Sequence, residues 1–244
     1  MWLLYIHANF LGDDMIGIIG AMDVEVNEIL KKMTDVEKRE LFGHIFYIGK
    51  ISNNNVVLCK SGVGKVNATI TTTIMNVEFY PDGIINIGTA GGMLEEQDTL
   101  DVVISEKIIQ HDFDTSAFDG PEGIGIVSQS NIELREKIKN AFDKLKKDFK
   151  IYYGDIISGD LFVADDLKIE ELKRKFPTAI ACEMEAGAIA QTCEKFDTPF
   201  IVIRSLSDIV HHDNSQIDYG KNVQKTSKRS ADMLEIFLMD IDRL

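Results

Sequence analysis

Ile84-Ile85-Asn86-Ile87-Gly88-Thr89-Ala90-Gly91-Gly92 is a short, mostly apolar run that passes directly into a glycine-rich loop. A run of that length beside turn residues reads as a buried strand. Upstream, Val66, Ile70, Ile74 and Val77 recur at helical spacing, which predicts an amphipathic helix over 65–79, ended by Pro81 and Gly83. Further upstream, Ile16-Gly17-Ile18-Ile19-Gly20 reads as another strand, followed by a helix from about Glu25 to Met33. Between them, His44 to Ile51 and Val56 to Lys60 flank Asn53-Asn54-Asn55, the pattern of a hairpin with a polar turn. Downstream, Val102-Val103-Ile104, 151–157, 178–182 and 200–203 read as strands. Ser130 with Glu133 is a capping-box signal for a helix carried on by Leu134, Ile138, Phe142 and Leu145. Two more helices are predicted over 185–196 and about 215–241. Strands alternating with helices imply an α/β domain, a mostly parallel sheet with helices on both faces.

In such sheets ligands bind beyond the carboxyl ends of the strands. The loops expected there are Ala21-Met22-Asp23, Ser61-Gly62-Val63-Gly64, Gly88 to Gly92, Ser158-Gly159-Asp160, Glu183-Met184-Glu185 and Arg204-Ser205-Leu206-Ser207-Asp208. Glycines and ionisable groups gather in them. Glu25, Glu185 and Asp208 stand out. Singly, the first two are acidic residues at helix starts, where the dipole favours them, and Asp208 is a cap. Together they mean more. Ala181-Cys-Glu-Met-Glu-Ala186 brings two carboxylates into an apolar junction, and burying charge without a partner is expensive. A sugar with vicinal hydroxyls would supply two donors.

The 244 residues include only 4 prolines and no Ser/Gly/Pro-rich linker, so one domain is expected, over 15–244. A net charge of −14 repels phosphate backbones and anionic headgroups, which argues against nucleic-acid and membrane partners. Cys59, Cys182 and Cys193 are odd in number and form no CxxC pair, as in a cytoplasmic protein with reduced thiols. No apolar run approaches the ~20 residues of a membrane span. Residues 1–14, MWLLYIHANFLGDD, lack the basic start and cleavage site of a signal peptide and read as an extension without catalytic role.

Other motifs fail. Gly62-Val63-Gly64-Lys65 lacks a phosphate loop's first glycine, because Cys59 stands there, and Val66 replaces its Ser/Thr. Gly17-Ile18-Ile19-Gly20 is not a dinucleotide fingerprint. Asn67-Ala68-Thr69 matches a glycosylation acceptor that has no meaning without secretion. His211-His212-Asp213 suits chelation poorly, since adjacent histidines point apart, and no metal site is expected. His111-Asp112 reads as a structural pair, with a mobile loop as the alternative.

Gly17-Ile-Ile-Gly-Ala-Met22 with Glu25, Lys60-Ser-Gly-Val-Gly-Lys65, Asn86-Ile-Gly-Thr-Ala-Gly-Gly92, Ser158-Gly-Asp-Leu-Phe162, Glu183-Met-Glu-Ala186 and Arg204-Ser-Leu-Ser-Asp208 resemble, in this order, the bacterial methylthioadenosine / S-adenosylhomocysteine nucleosidases. The resemblance runs from Met15 almost to the C-terminus. It implies the nucleoside phosphorylase-like fold, a three-layer αβα domain with a mixed, mostly parallel central sheet, paired as a homodimer. It implies hydrolysis of the N-glycosidic bond of an adenine thionucleoside. Asp208 then resembles the general acid at adenine N7, and Glu25 the carboxylate that activates water. Glu185 and Met184 resemble ribose contacts, with Glu183 beside them. Phe162 resembles the ring stacked on adenine, and the Val163 backbone its hydrogen-bond partner. Thr89, Gly91, Arg204 and Ser207 resemble site-lining residues, and Met22 and Val63 apolar contacts near sugar and sulfur. The segment His111 to Phe118 resembles a loop lent to the neighbouring subunit, with Thr115 and Phe118 facing the 5′-alkylthio tail. Thr89 stands where the family often has Ser, and Asp23-Val24 replaces a more acidic pair.

The chemistry implied needs no metal or organic cofactor. Adenine leaves readily only if its charge is neutralised, which a carboxylic acid near N7 can do. The sugar passes through an oxocarbenium-like state, as in glycoside hydrolysis. The rival readings are a purine nucleoside phosphorylase, a futalosine or AMP nucleosidase, and a silent purine-binding module. A phosphorylase wants arginine at the nucleophile, where this chain offers carboxylates.

Overall fold

The computed structural model of the chain describes residues 14–209 and 215–241. Residues 1–13, and with them nearly all of the expected extension, lie outside the described residues, as do His211, His212 and Asp213. The order is β1 (Met15–Gly20), α1 (Asp23–Leu30), β2 (Thr34–Leu41), β3 (His44–Ile51), β4 (Asn54–Lys60), α2 (Lys65–Phe79), β5 (Gly83–Gly92) and β6 (Val102–Gln110). There follow α3 (Ser116–Asp119), a 3-10 turn (Gly120–Gly123), β7 (Val127–Gln129), α4 (Ile132–Asp143), β8 (Ile151–Ser158), α5 (Asp166–Lys175), β9 (Ala179–Glu183), α6 (Ala186–Lys195), β10 (Phe200–Ile209) and α7 (Ser215–Asp240).

One mixed sheet holds all the strands among the described residues. β4, β1, β5 and β10 form one parallel block. β6, β8 and β9 form a second. Antiparallel pairings β10–β6 and β5–β9 join the blocks, so that five strands close on themselves. The hairpins β2–β3–β4 extend the sheet to a charged edge strand, Thr-Asp-Val-Glu-Lys-Arg-Glu-Leu, whose row of charges discourages pairing with another chain.

Alternation along the strands divides the core into layers. Met15, Ile19, Val57, Cys59 and Val202 face α2 and α6, where Ala68, Met75, Ala186 and Ile189 meet them. Ile16, Ile18, Leu58, Ile201 and Ile203 face the opposite way, onto Val26 and Ile29 of α1, Leu134 and Phe142 of α4, and Leu234 and Phe237 of α7. The result is the expected three-layer αβα arrangement. A smaller cluster, including Ile157, Val163, Leu172 and Phe176, seats α5 beside β8.

Several local expectations are corrected. α2 spans the predicted residues, but its apolar stripe faces outward: Val66 is 69% exposed, and Ile70 and Val77 are also exposed, while Ile74 is buried. Ala68, Thr71, Thr72, Met75, Asn76 and Phe79 turn inward instead. Their polar groups satisfy one another, with Thr72 Oγ1 donating to the Ala68 carbonyl at 2.7 Å and Asn76 Nδ2 to that of Thr72 at 2.8 Å. Gly88–Gly92 and Arg204–Asp208, read as loops, are strand, because β10 pairs with β5 along its length and β9 takes Gly91 and Gly92. The cap of α4 is Asn131, whose side chain accepts from Leu134 N, whereas the Ser130 hydroxyl meets Ser105.

Candidate active site

The chain turns from β1 into α1 through Ala21 and Met22, and this turn is held from inside by Glu25. Its Oε2 accepts from Ala21 N at 2.8 Å and Met22 N at 3.0 Å, and its Oε1 accepts from Thr89 N at 3.0 Å. Glu25 is 4% exposed. Burial pushes its carboxyl above the ordinary carboxylate range, against the pull of the Arg204 charge and the three N–H groups. A Cβ on residue 88 would sit 2.6 Å from Glu25 Oε1, so β5 must carry glycine there for the carboxylate to reach the strand.

The β9–α6 junction supplies two more carboxylates, as its sequence predicted. Glu183 accepts from Glu185 N at 3.0 Å and from Ala186 N at 2.9 and 3.0 Å, so it caps α6. Arg204, 2% exposed, donates to it at 2.7 Å and also to Asn86 Oδ1. Glu185 reaches the other way and accepts from Gly64 N at 2.8 Å. Burial first, and the Glu183 charge second, push Glu185 up to about 8, against Gly64 N–H and Arg204.

Asp208 arrives on β10. The register slips between Leu206 and Asp208, and this bulge re-aims the side chains of the strand's end. Ser207 Oγ donates to Asp208 Oδ1 at 2.7 Å. Both residues are buried.

These groups meet in one open cleft. Glu25 and Asp208 line it with Met22, Val63, Thr89, Gly91, Phe162, Val163, Glu183, Met184, Glu185 and Ser207. Arg204, expected on the lining, lies beneath it. A buried guanidinium needs paired acceptors, and Glu183 and Asn86 provide them. Thr115 and Phe118 do not line this chain's cleft: Thr115 Oγ1 closes its own loop onto the Gly123 carbonyl at 3.3 Å, and Phe118 is 91% exposed. Ala21, Ala90, Leu161 and Cys182 were missed. Their only sequence signal was adjacency to predicted residues. Burial raises the Cys182 thiol far above its ordinary range, with Glu183 and Asp208 adding to the effect, so it stays protonated. His111 and Asp112 do not pair with each other. Both ring nitrogens of His111 are buried without hydrogen-bond partners, and burial depresses its pKa, while Asp112 bonds Lys65. Among the described residues, no cluster of three or more His, Cys, Asp or Glu is arranged to hold a metal, and no helix is long and apolar enough to cross a membrane.

A layered α/β domain whose strand ends deliver separate carboxylates to one cleft is the frame of a nucleoside-cleaving enzyme. A family model described as the phosphorylase superfamily matches residues 15–239, and the chain belongs to that superfamily. The 5′-methylthioadenosine/S-adenosylhomocysteine nucleosidase of Oceanobacillus iheyensis is 38% identical over 221 residues, covering 90% of this chain and 96% of the relative. The nucleosidase of the same description from Neisseria meningitidis, solved in complex with methylthio-immucillin-A, has a TM-score of 0.89 and 32% identity, over 93% of this chain and 100% of that one. The futalosine hydrolase of Helicobacter pylori is similar too, with a TM-score of 0.87 and 31% identity, over 93% of this chain and 98% of that one. Within the superfamily, the chain falls in the methylthioadenosine/S-adenosylhomocysteine nucleosidase family.

Proposed function

We propose that the protein hydrolyses the N-glycosidic bond of 5′-methylthioadenosine and S-adenosylhomocysteine, releasing adenine and the thioribose product. The observation that carries this reading is the convergence of Glu25, Glu185 and Asp208, from three separate strand ends, on one cleft. Asp208, steadied by Ser207, is the acid that neutralises adenine N7 as the C–N bond lengthens. Phe162 and Val163 border the base, the ring by stacking and Val163 through its backbone. Glu185 holds the 2′- and 3′-hydroxyls, and Met184 lies beside the sugar. Met22 and Val63 take the apolar 5′ side.

Glu25 takes a proton from the attacking water. A carboxylate offers about four acceptor sites. Three are filled by the backbone, which leaves one aimed for a water and fixes the group against swinging away. Its raised pKa makes it a better base than a solvated glutamate. Glu183, with both oxygens engaged, orients Arg204 and the start of α6, and Arg204 in turn tempers the negative field on Glu25 and Glu185. None of these steps calls on a metal or organic cofactor.

The working unit is a homodimer in this reading. Val63, Val66, Ile70, Phe113 and Phe118 are exposed apolar side chains close in sequence to the cleft's own segments, and a second copy would cover them. Thr115 and Phe118 then face the partner's alkylthio tail. Three buried free thiols suit the cytoplasm, and the products suit methionine salvage. Residues 15–244 form the catalytic domain. The family match beginning at Met15 supports this, and a chain lacking 1–14 should turn over at the full rate. Adenine release, followed spectroscopically with methylthioadenosine, S-adenosylhomocysteine, adenosine, inosine and futalosine, tests the assignment. Release from the two thionucleosides well above the others is expected; preference for futalosine or inosine would overturn it.

A further inference from the structure

We propose that Lys65, Asp112 and Asp160 form a clamp that positions the ribose carboxylate and the base-stacking loop, and that none of the three touches substrate. The inference rests on Glu185 being the ribose ligand.

The three residues come from three segments: the first turn of α2, the chain leaving β6, and the loop after β8. Each holds the next. Lys65 N donates to Asp160 Oδ1 at 2.7 Å, Asp160 N donates to Asp112 Oδ2 at 2.9 Å, and Lys65 Nζ donates to Asp112 Oδ1 at 2.6 Å. The ring is closed, and both Asp112 oxygens and both Lys65 nitrogens are used in it. Burial would raise the Asp112 pKa, but Lys65 and the Asp160 N–H hold it below the ordinary carboxylate range.

Two of the three members sit one or two residues from a group that lines the cleft, Lys65 beside Val63 and Asp160 beside Leu161, and Asp112 ties them together. Gly64, directly before Lys65, donates its N–H to Glu185. Leu161 and Phe162 follow Asp160 and line the cleft. Phe113 and Thr115 follow Asp112. The N-terminus of α2 thus presents consecutive N–H groups to two carboxylates, Glu185 toward the cleft and Asp160 away from it. Gly64 has φ +93°, and a Cβ there would stand 3.0 Å from Asp160 Oδ1, so only glycine lets both bonds form. Moving Lys65 would move the N–H on Glu185 and free the loop that carries Phe162.

The test is the pH dependence of kcat and KM for methylthioadenosine in wild type, Lys65→Met, Lys65→Arg, Asp112→Asn, the Lys65→Met/Asp112→Asn double variant and Glu185→Gln. The two single breaks should raise KM about tenfold with kcat changed less, as for lost uniform binding. The double variant should be no worse than the poorer single one, because the ring is already open, and Lys65→Arg should recover most of the loss. The acid limb of kcat/KM should also move to higher pH in Lys65→Met. Glu185 faces Glu183 on β9, Arg204 on β10 and Glu25 on α1, and the Gly64 N–H is the favourable contact that the variant disturbs. Clamp variants with wild-type KM and an unmoved acid limb, beside an inactive Glu185→Gln, would overturn the clamp and spare the ribose assignment. A fully active Glu185→Gln would overturn both.

Discussion

Asp208 lies on a strand rather than at a flexible tip, and its neighbours are fixed by β5 and by the Ser207 hydroxyl. Asp208→Asn should therefore keep its place and bind nucleoside, while turnover falls by roughly 10²–10⁴-fold, the range for a lost general acid. Near-normal adenine release would remove Asp208 from the mechanism. Glu25→Gln loses the base and also breaks a fit. The amide oxygen can replace the acceptor shared by Ala21 and Met22, but the amide nitrogen then faces the Thr89 N–H, which is left unsatisfied. That costs about 1–3 kcal/mol. Inactivity with a lowered Tm is expected, and an active variant of wild-type Tm would place water activation elsewhere. Substituting Glu185 should have the opposite effect on stability at high pH. Its folded pKa, about 8, exceeds the ordinary 4.5, so the folded protein holds a proton that the unfolded chain has already lost. Its contribution to stability is present below pH 4.5 and is lost as pH rises through 8. Glu185→Gln keeps an acceptor for Gly64 N–H and removes this dependence. In thermal melts without nucleoside, the Tm of the variant relative to wild type should climb from pH 4.5 to 8.5; a flat difference would refute the assignment of the titration.

Among the elements, α2 shows what periodicity does and does not report. Its length was readable, because Val66, Ile70, Ile74 and Val77 keep a helical beat, but the beat marks two surfaces at once. Ile74 belongs to the core, whereas Val66, Ile70 and Val77 are exposed. Inside, small and hydroxyl-bearing residues let α2 lie close against α6. No rule of hydrophobic spacing distinguishes a face for the core from a face for a partner. The same limit hid β2, which alternates charge with charge, and it turned the ends of β5 and β10 into loops on paper, since glycines and an Arg-Ser-Leu-Ser-Asp stretch lack a strand's composition. Those ends are strands because neighbours pair with them. The site itself was legible: every predicted cleft residue but Arg204 and the partner loop lines it, because charged and aromatic residues beside glycine carry chemical signatures that alanine and leucine do not. If the outward stripe of α2 is an interface, Val66→Asp with Ile70→Asp should leave Tm within a few degrees, as exposed substitutions usually do. Sedimentation should then show a monomer with much reduced activity. A doubly substituted protein that remains dimeric would move the interface elsewhere.

For the whole molecule, the decisive quantity is the sign of charge at the nucleophile, because it separates hydrolysis from phosphorolysis. The chain carries −14 overall, and the cleft sharpens the bias: the Glu25 and Glu183 carboxylates line it, while among the described residues the guanidinium nearby, Arg204, is buried beneath and committed to Glu183 and Asn86. A phosphate dianion entering beside Glu25 would meet a carboxylate held by three backbone bonds and unable to withdraw. At ~4 Å, two like charges repel by about 4 kcal/mol per unit pair near a protein surface. Protonating Glu25 would relieve the repulsion and remove the base in the same step. Water suffers neither penalty, and the acceptor site left on Glu25 suits its proton. Full activity is therefore expected in phosphate-free buffer, with free methylthioribose as the sugar product from methylthioadenosine. Added phosphate should leave the rate unchanged apart from the modest screening that any salt brings. Chromatography of the sugar decides the matter. A strict requirement for phosphate, with a sugar 1-phosphate recovered, would mean that an anion is bound where these carboxylates stand, and the hydrolytic assignment would give way to a phosphorylase.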